Sequence, residues 1–395
     1  MREPQPRGRG AASLAARDHR AGAGADGRGP DPRRRGRRAA ALSAADRAAA
    51  ATWASDAALA QAAGPDCERL DALLAAHEAA VRRVPLAGFD GLPLLAECFA
   101  ASAPASAVLL LVHGAGECPV RYVELIADWR RRHPDHAICA VTHRGYGAAG
   151  RVPPLCGDDP VERQKMHVDH FDDYARDLDI YATLARSLAP GRPLYALAHS
   201  MGAAILLRWL QGGERGVAAA AITAPMVEIR GLWGLPVSRD ALGRLALATV
   251  GRQRPSAWAA NQGPYHEPLF RDARGLNGLT ASERRFAMRA RLIERHPYSR
   301  IGGPTWGWVA AAVAAGRRIF AEVGRLAGVP MLCVVPGIDR LVWPPSGLRL
   351  AARIRATGGD CTLLSLPEAR HEVLIETDAI RTQVLEAVEA RFAGP

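Results

Sequence analysis

The clearest structural signal in the sequence is the segment Leu194-Tyr-Ala-Leu-Ala-His-Ser-Met-Gly202. It begins with an apolar run typical of a buried strand, and the residues after Ser200 return to a helical period through Leu210. A sharp turn from strand to helix exposes the side chain at its corner, beside the first N–H groups of the helix. The pattern predicts that Ser200 is a nucleophile at such a turn, although Ala198 stands where glycine is more usual.

Strand and helix patterns alternate on both sides of this segment. Before it we predict strands at 107–112 and 136–142 and helices at 122–132 and around 171–181, with strand character at 84–101 around a turn at 89–91. After it we predict strands at 217–223, 331–335 and 361–366 and helices at 347–356 and 378–392. Such alternation indicates a parallel sheet with helices on both faces. Ligands of these sheets bind at the carboxyl ends of the strands.

The alternation is interrupted between residues 226 and 325. This stretch has helical segments, several Gly-Pro breaks and four of the eight tryptophans, of which Trp233, Trp306 and Trp308 are candidate substrate contacts. An insertion of this size and composition is typical of a lid over a binding site. The alternative is ordinary helical packing, which accounts for some of these apolar side chains.

Two further polar residues follow strands at the edge of the sheet that carries Ser200. Asp339 comes just after the strand at 331–335, and His371 just after the strand at 361–366. An isolated Asp is usually a cap and an isolated His a surface or packed residue, but the order Ser, Asp, His indicates a triad. Serine needs a neighbouring base, and the imidazole needs a carboxylate to orient it. We therefore predict Ser200 as nucleophile, His371 as general base and then acid, and Asp339 as the orienting carboxylate.

Glycine-rich turns follow the first two buried strands, at His113-Gly-Ala-Gly-Glu117 and His143-Arg-Gly-Tyr-Gly147. Small residues at such a turn allow backbone N–H groups to face a developing oxyanion. The alternative is an ordinary glycine-rich turn. At the first of these turns, His113–Glu117, a dinucleotide or phosphate loop is excluded because Gly-x-Gly-x-x-Gly and the Lys-Ser/Thr pair are both missing there. No cofactor or metal site is recognisable in the sequence, and acyl transfer to serine requires none.

Together these motifs resemble the α/β-hydrolases of the monoacylglycerol lipase and bacterial lysophospholipase group. The resemblance covers about residues 84–392. The similar segments are Val112-His-Gly-Ala-Gly-Glu117 with Arg121-Tyr122, His143–Gly147, Ala198-His-Ser-Met-Gly202, Thr223-Ala-Pro-Met226, Gly302-Gly-Pro-Thr-Trp-Gly-Trp308, Pro336-Gly-Ile-Asp-Arg340 and His371-Glu-Val-Leu.

The resemblance implies the α/β-hydrolase fold, a mostly parallel central sheet with helices on both faces and a helical lid inserted before the last two core strands. It also implies that Ala115 and Met201 donate their backbone N–H groups to the oxyanion. The implied function is hydrolysis of a single-acyl-chain lipid ester, a lysophospholipid or a monoacylglycerol, through an acyl-serine. The alternatives are a carboxylesterase of small soluble esters and a non-catalytic binding protein of the same fold.

The domain organisation follows from these patterns. We expect a disordered Arg/Ala/Gly-rich tail at 1–41 and a helical extension at 42–83. The core then occupies 84–225 and 326–395, and the lid 226–325. The first 50 residues hold twelve arginines against five acidic residues and supply most of the net charge of +11.

Charge and cysteine content bear on partners and location. The arginine tail indicates either a solvated segment or contact with an anionic membrane surface. No nucleic-acid partner is expected, because no aromatic residues interleave the arginines. Seven scattered cysteines without a Cys-x-x-Cys pair argue against a disulfide framework. With no apolar run of about 20 residues, we expect a cytoplasmic protein, with peripheral contact at the inner membrane surface. The oligomeric state stays open.

Overall fold

The computed structural model describes residues 64–394 except 153, 154, 156, 214, 232, 233, 269 and 271–276. Within these ranges the chain forms eight strands and ten α-helices. The strands are β1 Val81–Ala87, β2 Pro93–Phe99, β3 Ala107–Val112, β4 His136–Thr142, β5 Leu194–His199, β6 Ala219–Thr223, β7 Met331–Pro336 and β8 Cys361–Leu366. The helices are α1 Gly64–Ala80, α2 Val123–Arg132, α3 Asp172–Leu188, α4 Met201–Gln211, α5 Ala241–Ala248, α6 Val250–Gln253, α7 Glu283–Arg295, α8 Trp306–Ala321, α9 Pro344–Ala356 and α10 Asp378–Ala393.

All eight strands belong to one sheet, in the order β1-β2-β4-β3-β5-β6-β7-β8. β1 pairs antiparallel with β2 and β2 pairs antiparallel with β4, whereas every other pairing is parallel. β5 lies near the middle, between β3 and β6, with Ala198 opposite Val112 on one side and Ile222 on the other. The α/β-hydrolase fold expected from the sequence is confirmed, and Ser200 follows a central strand at its carboxyl end.

Helices cover both faces of the sheet. One face packs against α3, α4, α8 and α9 in the main apolar core, and the other packs against α2 and α10. Residues of β3 alternate between the two faces, with Val108 and Leu110 on the first and Leu109 on the second. Every residue of α4 is buried, which explains why this helix is apolar on all sides up to Arg208 near its end.

The chain between β6 and β7, called the insertion below, holds α5 to α8. Its last helix, α8, packs on the main core through Trp308, Ala312 and Ile319. For Trp308 the alternative of ordinary helical packing, rather than substrate contact, therefore applies. Helix α5, by contrast, has no buried residue. Trp233 lies outside the described residues.

The described part of the expected N-terminal extension consists of α1 and the first residues of β1. Leu70 and Leu74 on α1 pack with Val123 of α2 and Leu292 of α7 in a separate apolar cluster. β1 begins at Val81, inside the range expected for the extension, and pairs with β2 along its whole length. The expected tail at 1–41 and the residues up to 63 lie outside the described part.

Two observations bear on the compartment and the membrane. Five cysteines in the described ranges are free thiols and all are buried, namely Cys98, Cys118, Cys139, Cys333 and Cys361. Among the helices that the structure describes, none is both long enough and apolar enough to cross a bilayer.

Candidate active site

Ser200 occupies the corner between β5 and α4 in a strained backbone conformation, with φ 53° and ψ −115°. A positive φ is rare for a residue with a side chain and persists only where surrounding contacts enforce it. Here the Ser200 N–H donates to the Thr223 carbonyl at 2.9 Å. The Ser200 carbonyl accepts from the N–H groups of Ala204 at 3.2 Å and Met226 at 3.1 Å. These bonds hold the strained corner on both sides.

Gly202 and Ala198, the small residues on either side of Ser200, are small for different structural reasons. A Cβ added at Gly202 would lie 2.4 Å from the carbonyl oxygens of both Val112 and His113, so only glycine allows α4 to start this close to β3. Ala198, in contrast, is fully buried with its methyl group in the main apolar core. The departure from glycine at position 198 is therefore accommodated by packing.

Ser200, His371 and Asp339 form one hydrogen-bonded chain. His371 Nε2 lies 2.9 Å from Ser200 Oγ, and His371 Nδ1 lies 2.6 Å from Asp339 Oδ2. The other carboxylate oxygen, Asp339 Oδ1, accepts from the N–H groups of Leu341 at 2.8 Å and Val342 at 2.9 Å. All three triad side chains are buried. Three residues that are distant in sequence thus meet at the carboxyl edge of the sheet.

Opposing effects set the protonation of this chain. Burial alone raises the pKa of Asp339, but the facing imidazole and the two backbone N–H groups lower the pKa below its usual value. Burial lowers the pKa of His371, but Asp339 outweighs it, and the net pKa of His371 is raised above 6.5. The carboxylate therefore stabilises the imidazolium that forms when serine gives up its proton.

One predicted oxyanion donor, Met201, directly follows Ser200, and the other, Ala115, follows Gly114, which lies close to Ser200. Ala115 belongs to the loop His113–Glu117 after β3, and a Cβ added at neighbouring Gly114 would lie 3.2 Å from Ser200 Cβ. Met201 is the first residue of α4, and the first N–H groups of a helix have no acceptor within it. Two backbone segments, the loop after β3 and the start of α4, thus lie beside Ser200, where an oxyanion would need N–H donors.

Three buried histidines surround the site without carrying charge near neutral pH. Burial, reinforced by the neighbouring His371, lowers the pKa of His199 to about 3. Burial lowers the pKa of His143 to about 4 and the pKa of His113 well below its usual value. The rings of His199 and His371 lie 4.9 Å apart between centroids. His371 is the one histidine of the four whose pKa is raised.

Sequence reasoning missed a buried charged group beside the triad, made of Glu117, Arg121 and Glu372. It also missed the contact of the Tyr146 hydroxyl with Met201 Sδ at 3.3 Å. The available signal was weak: Glu372 directly follows His371, and Arg121 follows a glycine-rich turn. Buried charged residues require ionic or hydrogen-bonding partners, but nothing in the sequence indicates which residues these partners are.

The two described tryptophans that were predicted as substrate contacts differ in burial. Trp308 is buried in the main core, and Trp306 is partly buried against it. Both lie at the start of α8, where Thr305 caps the helix by accepting from the Trp308 N–H at 3.2 Å. Neither side chain has a hydrogen bond to Ser200, Asp339 or His371 within the described residues.

Two cavities lie near the glycine-rich turns. One of about 250 Å³ has Cys118, Pro119 and Thr142 among its lining residues. A small one of about 10 Å³ is lined by Glu117, Arg121, Tyr122, His199, Glu372, Leu374 and Ile375. No triad residue lines either of them. In the described ranges, no group of three or more His, Cys, Asp or Glu side chains is arranged to hold a metal ion.

Comparison with known proteins gives matches over most of the chain. Residues 103–378 match the Hydrolase_4 family, described as serine aminopeptidase, S33. The chain is 30% identical over 291 residues to lysophospholipase L2 of Escherichia coli K12, an alignment covering 71% of this chain and 78% of that protein. It is 27% identical over 288 residues to probable lysophospholipase L2 of Haemophilus influenzae, covering 72% and 84% of the two chains.

Solved structures show the same fold. A soluble variant of monoglyceride lipase from Saccharomyces cerevisiae, in complex with a substrate analog, superposes with a TM-score of 0.60 at 17% identity. That match covers 79% of this chain and 94% of the yeast protein. A thermostable carboxyl esterase from Bacillus coagulans, in complex with glycerol, has a TM-score of 0.56 at 15% identity and covers 80% and 98% of the two chains.

Proposed function

The chain belongs to the Hydrolase_4 family, and we propose that it hydrolyses carboxylic esters of single-acyl-chain lipids, lysophospholipids or monoacylglycerols. The observation that carries the proposal is the hydrogen-bonded chain from Ser200 through His371 to Asp339. Similarity to lysophospholipase L2 over most of the chain supports a lipid ester as substrate. The main alternative remains a carboxylesterase of small soluble esters.

In the proposed first step, Ser200 Oγ attacks the ester carbonyl while its proton passes to His371 Nε2. The carbonyl oxygen becomes an oxyanion that accepts hydrogen bonds from the N–H groups of Ala115 and Met201. Asp339 keeps Nδ1 of the imidazole protonated and stabilises its charged form. When the carbon–oxygen ester bond breaks, His371 gives the proton to the leaving alcohol, and an acyl-serine remains.

The second step repeats the chemistry with water. His371 takes a proton from the water as the water oxygen attacks the acyl-serine carbonyl. The tetrahedral species then collapses, the proton returns from His371 to Ser200 Oγ, and the fatty acid leaves. The raised pKa of His371 suits this double use as base and acid.

A substrate panel tests the proposal. The purified protein and its Ser200→Ala variant are assayed against lysophosphatidylcholine, lysophosphatidylethanolamine, monoacylglycerol, a short p-nitrophenyl ester and an aminoacyl p-nitroanilide. We expect fatty-acid release from the lipids by the wild type and none above background by the variant. Hydrolysis of only the short ester would refute the lipid substrate, and hydrolysis of only the anilide would indicate a peptidase.

We also infer contact with an anionic membrane surface. Helix α5 exposes two large apolar side chains, Leu242 at 62% and Leu245 at 60% of their full area. Three exposed arginines lie on or just after this helix, Arg244, Arg252 and Arg254. Leucines beside arginines fit a surface of lipid tails under anionic head groups. This contact would bring the insertion to the surface from which a lipid substrate comes.

A further inference from the structure

Two loops must keep a fixed distance for the proposed chemistry. The oxyanion loop, residues 113–117, carries the proposed donor Ala115, and the base loop, residues 370–375, carries His371. The guanidinium of Arg121 lies between them, with its side chain only 5% exposed. Nη1 donates to the Gly116 carbonyl at 3.2 Å, and Nη2 donates to the Glu372 carboxylate at 3.2 and 3.4 Å. One side chain thus contacts both loops.

Glu117 completes this connection on the oxyanion side. Its Oε2 accepts from the Gly114 N–H at 2.6 Å and from the Tyr122 hydroxyl at 2.5 Å. Its Oε1 lies 3.9 Å from Arg121 Nη2. Gly114 and Gly116 stand on either side of Ala115, so both neighbours of the donor are fixed by the same charged group.

We propose that Arg121 is a positioning residue that ties the oxyanion loop to the base loop through Glu372. The tie keeps the Ala115 N–H and the His371 imidazole on opposite sides of the reacting carbonyl at a constant separation. This inference rests on the proposed function, because it assigns Arg121 a role in the same hydrolysis. Displacement of a reacting group by about 1 Å costs about 100-fold in rate, so a lost tie affects turnover more than binding.

The same group controls the charge that faces His371. Asp339, Glu372 and Glu117 all favour its protonated form. His199 also faces His371 and is neutral. Arg289 of α7 interacts with Arg121 and Glu372, and burial, reinforced by Arg121, lowers its pKa. Arg121 balances Glu117 and Glu372, so removing it favours imidazolium, whereas removing the charge of Glu372 disfavours it.

The chain offers variants that separate the tie from the charge. Glu372→Gln keeps an oxygen that can accept from Arg121 but loses the charge, whereas Glu372→Ala and Arg121→Met break the tie. Arg208→Met is the matched control, since Arg208 is also 5% exposed and ion-paired, with Asp172 and Glu322 at the other end of α4.

The experiment measures kcat, KM and the pH profile of ester hydrolysis, with folding checked by circular dichroism. Arg121→Met and Glu372→Ala should lower kcat about 10- to 100-fold with little change in KM. Arg121→Met should move the acid limb to higher pH, and Glu372→Gln should move it to lower pH while lowering kcat less than Glu372→Ala does. Arg208→Met should change neither kcat nor the acid limb.

The labelling rate with a fluorophosphonate distinguishes failure of this inference from failure of the proposed function. Labelling requires Ser200 and His371 but no lipid. A wild type that is labelled but hydrolyses no lipid ester refutes the proposed function. In that case the labelling rates of the variants still test the tie. Folded Arg121→Met protein with wild-type rates and an unchanged pH profile overturns the tie. A Glu372→Gln variant that is as slow as Glu372→Ala also overturns the tie. A wild type that is never labelled overturns both proposals.

Discussion

His371 is the residue through which pH controls the proposed reaction. It accepts the serine proton only when neutral, and Asp339 holds its pKa above 6.5 against the opposing effect of burial. We therefore expect kcat/KM to fall as pH drops, with its acid limb centred above pH 6.5. Asp339→Asn should shift this limb to lower pH and reduce kcat by about 10⁴-fold. Rates between pH 5 and 9 on a soluble ester test this, and an acid limb unaffected by Asp339→Asn would contradict it.

Gly202 is the residue on which the geometry of the elbow depends most directly. Gly202→Ala places a methyl group 2.4 Å from two backbone oxygens of β3 and its following loop, and no side-chain rotation relieves that contact. We expect a loss of about 1–3 kcal/mol in the free energy of unfolding and a lower kcat, because Ser200 must move. Gly328→Ala is the control, since its added methyl group meets no atom within 4 Å. Equal denaturation midpoints and rates for the two variants would contradict the argument.

The three residues of the hydrogen-bonded chain could be singled out from the sequence because each lies in the turn that follows a strand, Ser200 after β5, Asp339 after β7 and His371 after β8. The tie could not, since Arg121 and Glu372 are 251 positions apart and their pairing depends on how the two loops fold together. The reason for alanine at position 198 could not be predicted either, because its methyl group is accommodated by core packing that no local pattern indicates.

At the level of helices and strands, the insertion is held to the core by a buried ion pair. Arg285 on α7 donates to Glu124 on α2 at 2.7 and 3.1 Å and to the Glu376 carbonyl at 2.6 Å. Both charged side chains are buried. Close by, the Glu372 N–H donates to the Leu279 carbonyl of the insertion at 2.8 Å. The insertion is therefore fixed to the core next to the base loop.

Arg285→Met should lower the free energy of unfolding by about 3–5 kcal/mol, because it leaves the Glu124 carboxylate buried without its main partner. The adjacent Arg284→Met is the control and should cost less than about 1 kcal/mol, since Arg284 lies nearer the exposed Asp378 at 3.3 Å than Glu124 at 3.9 Å and leaves the Arg285–Glu124 pair intact. The double variant Glu124→Met/Arg285→Met should recover part of the loss. Urea denaturation measures all three, and equal effects at positions 284 and 285 would be inconsistent with a buried clamp.

Strand and helix boundaries were predictable where periodicity was strong and less so elsewhere. β4 and β8 begin and end at the residues expected from their apolar runs. β1 begins earlier than expected, because this edge strand has exposed arginines at 82 and 83 and only weak alternation. The packing of α8 on the core was not predictable, because an apolar helix face does not reveal which surface covers it.

For the whole molecule, the fold and the order of its parts could be predicted from alternating patterns, whereas the surface proposed to contact a membrane could be identified only from the coordinates. The exposed leucines of α5 lie within a segment that reads from sequence as an ordinary helix. Their exposure depends on the orientation of the insertion on the core, which is a tertiary property.

Vesicle flotation tests the membrane contact. The wild type should float with anionic phosphatidylglycerol vesicles more than with phosphatidylcholine vesicles, and less so at high salt. The double variant Leu242→Ser/Leu245→Ser should float less while hydrolysing a short soluble ester at the wild-type rate. Ser200→Ala serves as the control for substrate binding and should float like the wild type. Flotation independent of both lipid charge and the two leucines would contradict the proposed contact.

The most direct test of the account is mass spectrometry after treatment with a fluorophosphonate. We predict a single adduct on the peptide containing Ser200, formed faster as pH rises through the acid limb. The adduct should be absent from Ser200→Ala and strongly slowed in Asp339→Asn. An adduct on another residue, or ester hydrolysis that persists in Ser200→Ala, would contradict the assignment of Ser200, His371 and Asp339 as the hydrolytic centre.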